Sequence, residues 1–185
     1  MTHTPAPGAQ RIFRHRSPYL LTEPTYGPVI ELLASAVAHA GPIAVVVGIA
    51  DGGRAPAQQI AALLGVPACH ITARHNSSDA LYVQATGTVT VTVPDGFPEA
   101  LGGRVLLVDD ICGTGATFAA VTDALADRLA PDARVDTVAL CRNVGSPARP
   151  DWWAWDVDDW VVFPWEPHPD ADARPLTLPE RILTP

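Results

Sequence analysis

The chain has 185 residues, 20 of them acidic and 12 basic, for a formal net charge of -8. Every basic residue is an arginine, so chemistry that needs a lysine amine, such as a Schiff base, is excluded, while phosphate binding by guanidinium groups stays open. The acidic balance argues against nucleic acid or an anionic membrane held by a basic surface, and no apolar run has the length of a signal peptide or a bilayer span; one soluble, cytoplasmic domain directed at a small molecule is expected.

Residues 1–25 are Pro-rich and read as a loose N-terminal segment. Val29, Ile30, Leu33 and Val37 then recur at helical spacing, and Gly41-Pro42 stops the pattern. The β-branched run "IAVVVGIA", 43–50, predicts a strand buried on both faces, followed by a glycine loop and a helix in "DGGRAPAQQIAALLG". A second strand, "ACHITAR" (68–74), gives way to the polar "HNSSDALYVQATG" and the alternating "TVTVTV" of 88–93, a long loop with a hairpin. "RVLLVDD" is a third buried strand. The helix after it places Phe118, Val121, Leu125 and Leu129 on one side, Pro131 ends it, and "ARVDTVALC" (133–141) is a fourth strand. This alternation implies an α/β fold: a doubly wound, mostly parallel sheet with helices on both faces, binding ligands beyond the carboxyl ends of its strands. The core is expected over 26–145, a small C-terminal aromatic hood over 146–170, and a tail over 171–185. Cys69, Cys112 and Cys141 lie in apolar runs without paired spacing and are expected to be reduced core thiols. His3, His15, His39, His70 and His168 show no zinc-ligand spacing.

The most informative stretch is "RVLLVDDICGTGATFAAV", 104–121. Two adjacent carboxylates at a strand terminus, Asp109 and Asp110, repel each other and require compensation, most simply by Mg2+ or by ligand hydroxyls. The following Gly113, Thr114, Gly115, Ala116 and Thr117 supply small-residue backbone N–H groups, hydroxyls and a helix start, which together suit a phosphate. Carboxylates beside a phosphate cradle describe a phosphorylated sugar lying across the strand ends.

With Leu106-Leu107-Val108 before the acidic pair and Ile111-Cys112 after it, this segment resembles the signature of the type I phosphoribosyltransferases. By that resemblance Asp109 and Asp110 engage the ribose hydroxyls of phosphoribosyl pyrophosphate, with Mg2+ through those hydroxyls or water, and residues 113–117 hold its 5-phosphate. "GIADGGRAPA" (48–57) looks like the pyrophosphate loop, with Asp51, Gly52, Gly53 and Arg54 at the leaving group. Arg74 takes the place of a basic residue that contacts pyrophosphate and is counted with the two aspartates as catalytic, and the segment from about 75 to 88 matches a loop that closes over the reacting centre. The resemblance spans roughly residues 26–166 and is closest to hypoxanthine, xanthine and guanine phosphoribosyltransferases, whose hood ends in a sequence like Phe163-Pro164-Trp165-Glu166. It implies Mg2+-dependent phosphoribosyl transfer to a purine-like base, 6-oxopurines favoured, by a homodimer with no nucleic-acid or membrane partner.

All five tryptophans fall within 151–165, and Trp160 and Trp165 are read as an aromatic wall for a flat heterocycle. Three positions depart from the resembling enzymes. Arg142 stands where they carry a base-reading lysine and is expected to donate to the base in its place, Gly113 replaces an aspartate that handles a proton of the base, and Asp51 puts a carboxylate in the pyrophosphate loop. These departures keep two alternatives open: an unusual heterocycle of specialised metabolism as acceptor, or a non-catalytic regulator that senses phosphoribosyl pyrophosphate or a nucleotide.

Overall fold

A computed structural model describes residues 2–3, 10–74, 82–84, 88–167 and 172–185. Its main sheet has seven strands. Five run parallel: β3 (Val45–Ala50), β4 (Ala68–Arg74), β6 (Arg104–Cys112), β7 (Arg134–Asn143) and β8 (Trp152–Val157), in the spatial order β4-β3-β6-β7-β8. Beyond β4, β5 (Val89–Thr92) pairs antiparallel with it, and β1 (Thr2–His3) pairs antiparallel with β5.

The three α-helices among the described residues divide between the two faces, as the alternation predicts. Helix α1 (Glu23–His39) and helix α2 (Arg54–Leu64) share one apolar core, in which Val29, Leu33, Val37 and Ile60 meet Val46, Leu106, Val108 and Leu140. Helix α3 (Ala116–Leu125) covers the other face, with Phe118, Val121 and Leu125 against Val47, Val105, Leu107 and Ala139. From Val105 to Val108 the odd and even residues of β6 thus feed opposite cores, as the period of 2 in a strand requires when both faces are covered. Helix α1 begins before the apolar periodicity does, because Pro24 in the first turn lacks only an N–H that the helix could not use there. After Leu125 the chain tightens into a 3-10 turn, Ala126–Arg128, which carries it to Pro131.

Two expectations about the ends of the chain are corrected. The tryptophan-rich run does not lie wholly in a hood: β8, with Trp152, Trp153 and Trp155, is the edge strand of the main sheet, and its tryptophans face the same two cores. Nor is the N-terminal segment loose from residue 10 onward. Here β2 (Tyr19–Leu20) lies between β9 (Val161–Val162) and β10 (Arg174–Pro175) in a parallel three-stranded sheet, so the hood joins both ends of the chain. The reason is polar satisfaction: buried Asp159 accepts from the His15 N–H at 2.9 Å, Tyr19 Oη donates to Asp158 at 2.9 Å, and Arg174 sits 4.0 Å over the Tyr19 ring.

Candidate active site

The site forms where β3 and β6, adjacent and parallel, end on the same edge. Asp109 and Asp110 are the sixth and seventh residues of β6, which runs two residues further than predicted, to Cys112. Asp109 is 8% exposed, and its Oδ1 accepts the Asp110 N–H at 3.0 Å. Burial pushes the Asp109 carboxyl well above its usual range and the neighbouring Asp110 charge adds to this. Burial also raises Asp110, with the Arg11 guanidinium opposing.

The glycine loop after β3 packs directly onto this pair. A methyl group on Gly52 would collide with Asp110 Oδ2, and one on Gly53 would collide with the Val108 carbonyl. Glycine is thus required for close approach, and the approach brings the two predicted loops together. The Gly53 N–H donates to Ile49 O at 2.8 Å, and the Arg54 N–H to Asp51 O at 3.2 Å, which turns the chain into α2. The Ala50–Asp51 peptide is cis. Asp51 and Arg54 are both exposed, and among the described residues no ion pair joins their side chains. Arg74, exposed at the end of β4, lies on the same sheet edge one strand further out. Residues 75–81 and 85–87 of the expected closing loop lie outside the described residues.

On the other side of the pair, Gly113, Thr114 and Gly115 turn from β6 into α3. Gly115 has φ +87° and a methyl group there would collide with Ala148 Cβ, so only glycine serves. Thr114 is buried, its Oγ1 meeting the Ala116 N–H at 3.4 Å, and Ala116 and Thr117 open the helix. The nearby Cys112 thiol is pushed up to about 11 by burial and touches Ser146 Oγ at 3.5 Å, an inert core thiol.

The two tryptophans expected to form one wall are in different settings. Trp160 lies in an aromatic cluster with Phe13 and Tyr82, at centroid distances of 6.1 and 6.2 Å. Trp165 stacks on Phe163 at 5.2 Å with an interplanar angle of 3°, and meets Tyr26 of α1 edge-on. Arg142 is tied into β8: its Nε donates to Asp156 Oδ1 at 2.8 Å and its guanidinium lies 5.3 Å over Trp153.

The residue that sequence reasoning missed is Arg11. Its guanidinium carbon lies 5.1 Å over Trp160, its charge acts on Asp110 and Asp109, and its Nε, sealed from solvent, has no hydrogen-bond partner among the described residues. Its aliphatic stem fills the space over Gly113, where a Cβ would come within 3.2 Å of Cδ and 3.1 Å of Nε. Two side-chain amides hold the backbone here. Gln84 accepts from the Arg11 N–H at 2.9 Å and donates to its carbonyl at 2.7 Å, while buried Asn143 does the same for Ile12 at 2.8 and 3.0 Å. The run "RIFRHR" has neither the alternation of a strand nor the period of a helix, so no local signal pointed to Arg11.

A buried acidic pair between two glycine-dependent turns can accept hydroxyl donors centrally and bind anions on either side. That arrangement agrees with sequence comparison: residues 22–172 match the phosphoribosyl transferase domain, and the chain belongs to this family of enzymes. Among solved structures, the chain is similar to the purine phosphoribosyltransferase from Pyrococcus horikoshii, with 26% identity and a TM-score of 0.67 over 81% of this chain and 95% of that one. It shares its fold with the Helicobacter pylori xanthine-guanine-hypoxanthine phosphoribosyltransferase (18% identity, TM-score 0.62, 80% and 92% covered). The same holds for a Neisseria gonorrhoeae hypothetical protein with bound ppGpp (24% identity, TM-score 0.62, 83% and 92% covered). No helix among the described residues is long and apolar enough to cross a membrane.

Proposed function

We propose that the protein moves ribose 5-phosphate from phosphoribosyl pyrophosphate to a ring nitrogen of a purine-like base, with 6-oxopurines favoured, and releases pyrophosphate. The observation that carries this reading is the packing of the Gly52-Gly53 loop onto Asp109 and Asp110, directly beside the Gly113–Thr117 turn. In the proposed reaction the ring nitrogen bonds to the anomeric carbon as the carbon–oxygen bond to pyrophosphate breaks. Pyrophosphate keeps the electron pair, and a proton on the nitrogen passes to solvent.

Asp109 and Asp110 accept the ribose hydroxyls, which relieves the desolvation and mutual repulsion that raise both carboxyls. Residues 113–117 hold the 5-phosphate, while the 51–54 loop, Arg54 and Arg74 face the departing pyrophosphate and stabilise its growing charge. The acidic pair also suits Mg2+, a hard cation that takes carboxylate, hydroxyl and water oxygens, so Asp109 and Asp110 would hold it directly or through the ribose. When bound, the ion offsets negative charge on the pyrophosphate. Trp160 and Trp165 belong to the acceptor side of the site, with Arg142, whose Nε donates to Asp156, as a further donor to the base. A cytoplasmic homodimer completes this reading, and light scattering checks the assembly.

The test is pyrophosphate release with magnesium, phosphoribosyl pyrophosphate and a panel of purines, pyrimidines and unusual heterocycles. Asp110→Asn is expected to keep the fold and lower turnover by at least about 10²-fold, the scale set by losing a positioned group. Full activity in that variant would refute the assignment. Binding of the donor without release from any acceptor would favour the sensing module instead, a reading prompted by Gly113 and by the carboxylate of Asp51 in the pyrophosphate loop.

A further inference from the structure

Arg11 is a permanent cation beside the acidic pair, and its Nε finds no acceptor among the described residues. Burial lowers its affinity for its proton, and the charges that oppose this are those of Asp110, Asp109, Cys141 and Glu166. None of the carboxylates lies within ion-pair distance of it among the described residues, and its Nε donates to nothing. The half-buried guanidinium therefore lacks an adjacent counter-charge among the described residues and has one N–H, at Nε, cut off from both water and an acceptor.

Its position is nevertheless tightly specified. Gln84 clamps both backbone groups of Arg11, Asn143 clamps those of Ile12, and Gly113 leaves the room that the Arg11 stem occupies. Trp160 supports the guanidinium face, which leaves its N–H edge for a ligand. The two aspartates that offset Arg11 at longer range are the groups the sugar engages, and Trp160, which carries the guanidinium face, belongs to the acceptor side of the proposed site, so the partner assigned to Arg11 is the acceptor heterocycle.

Resting on the proposed phosphoribosyl transfer, we infer that Arg11 determines acceptor specificity and that the acceptor class is a planar heterocycle carrying negative charge at the edge that meets Arg11. A charged edge with two acceptor atoms accepts a bidentate pair of charge-assisted hydrogen bonds from the guanidinium. A neutral base leaves the Arg11 charge unmatched in the same desolvated space. Gly113 is part of the device: a carboxylate side chain there would abut Arg11 Nε and neutralise it internally.

The experiment compares binding of xanthosine 5′-monophosphate, whose base ionises near neutral pH, with that of inosine 5′-monophosphate, whose base stays neutral. Calorimetry is run at one slightly alkaline pH on the full chain. Wild type is expected to prefer the xanthine nucleotide by about tenfold or more, the range for hydrogen bonds to charged groups. Arg11→Gln, which keeps N–H donors but not the charge, should bring the ratio close to one, and Gly113→Asp should reverse it in favour of the neutral nucleotide. Thermal stabilisation by phosphoribosyl pyrophosphate with magnesium, measured on the same samples, reports separately on the parent reading. If the donor binds while wild type shows no preference or binds neither nucleotide, or if Arg11→Gln keeps the preference, the inference about Arg11 is wrong and the transferase reading stands. If the donor does not bind, the parent reading fails, and this inference with it.

Discussion

Replacing Asn143 by alanine isolates the contact that holds the N-terminal strap over the site. Asn143 is fully buried, and its side chain makes three hydrogen bonds to the backbone: from the Ile12 N–H at 2.8 Å, to the Ile12 carbonyl at 3.0 Å, and from the Gly145 N–H at 3.0 Å. The alanine variant loses all three and leaves backbone groups of Ile12 and Gly145 without partners. At roughly 0.5–1.5 kcal/mol per bond, the expected loss of stability over the three bonds is about 1.5–4.5 kcal/mol. Part of this is recoverable, because the freed strap reaches water when it detaches, so the lower half of the range is favoured. Urea unfolding followed by tryptophan fluorescence measures the global term, and hydrogen exchange at the Ile12 amide measures the local one. Because Gln84 still holds Arg11, faster exchange should be greatest at Ile12. A stability change below about 0.5 kcal/mol, together with unchanged protection of the Ile12 amide, would refute the account of how the strap is fixed.

Three further outcomes are expected. The raised carboxyls of Asp109 and Asp110 mean that the folded protein binds more protons than the unfolded chain above the ordinary carboxylate value of 3.8, so ligand-free stability should fall as pH rises from there through the folded-state values. Asp109→Asn should flatten that fall and raise the neutral-pH unfolding midpoint in urea; an unchanged pH profile would contradict the assigned burial. Asp136 is fully buried between Arg104, at 2.6 Å, and Arg134, at 2.9 Å, so Asp136→Ala, which strands the largely buried Arg104, should cost about 3–5 kcal/mol in urea unfolding, and a neutral result would refute that pairing. Gly52→Ala drives a methyl group into Asp110 and should lower the rate of pyrophosphate release by about 10²-fold while circular dichroism shows the fold retained; wild-type turnover would show that the loop can shift freely.

The two glycine turns and the acidic pair were legible because each is a local event. A β-branched run, a short glycine-rich link and a helical pattern follow one another within about 20 residues, and parallel packing then places every such link on one sheet edge. The covering of both faces of β6 was readable for the same reason: a strand alternates its side chains whatever the rest of the chain does. What surrounds that edge was decided by contacts distant in sequence. Arg11 and Gln84 are 73 positions apart, Ile12 and Asn143 131, and His15 and Asp159 144. The Pro-rich composition of residues 1–25 favours looseness locally, yet from residue 10 the chain is bound by side-chain amides and carboxylates that no periodicity announces. The tryptophan run likewise looked like a single wall, but only the edge of the sheet separates Trp152 and Trp153, which serve the two cores, from Trp160, which meets Arg11. The sequence by itself therefore determined the α/β core and the two glycine turns that flank the acidic pair, where backbone periodicity and short turns suffice. The surroundings of Arg11 and Trp160 were decided by tertiary structure, because buried polar groups take whichever partners the folded topology brings within hydrogen-bond reach.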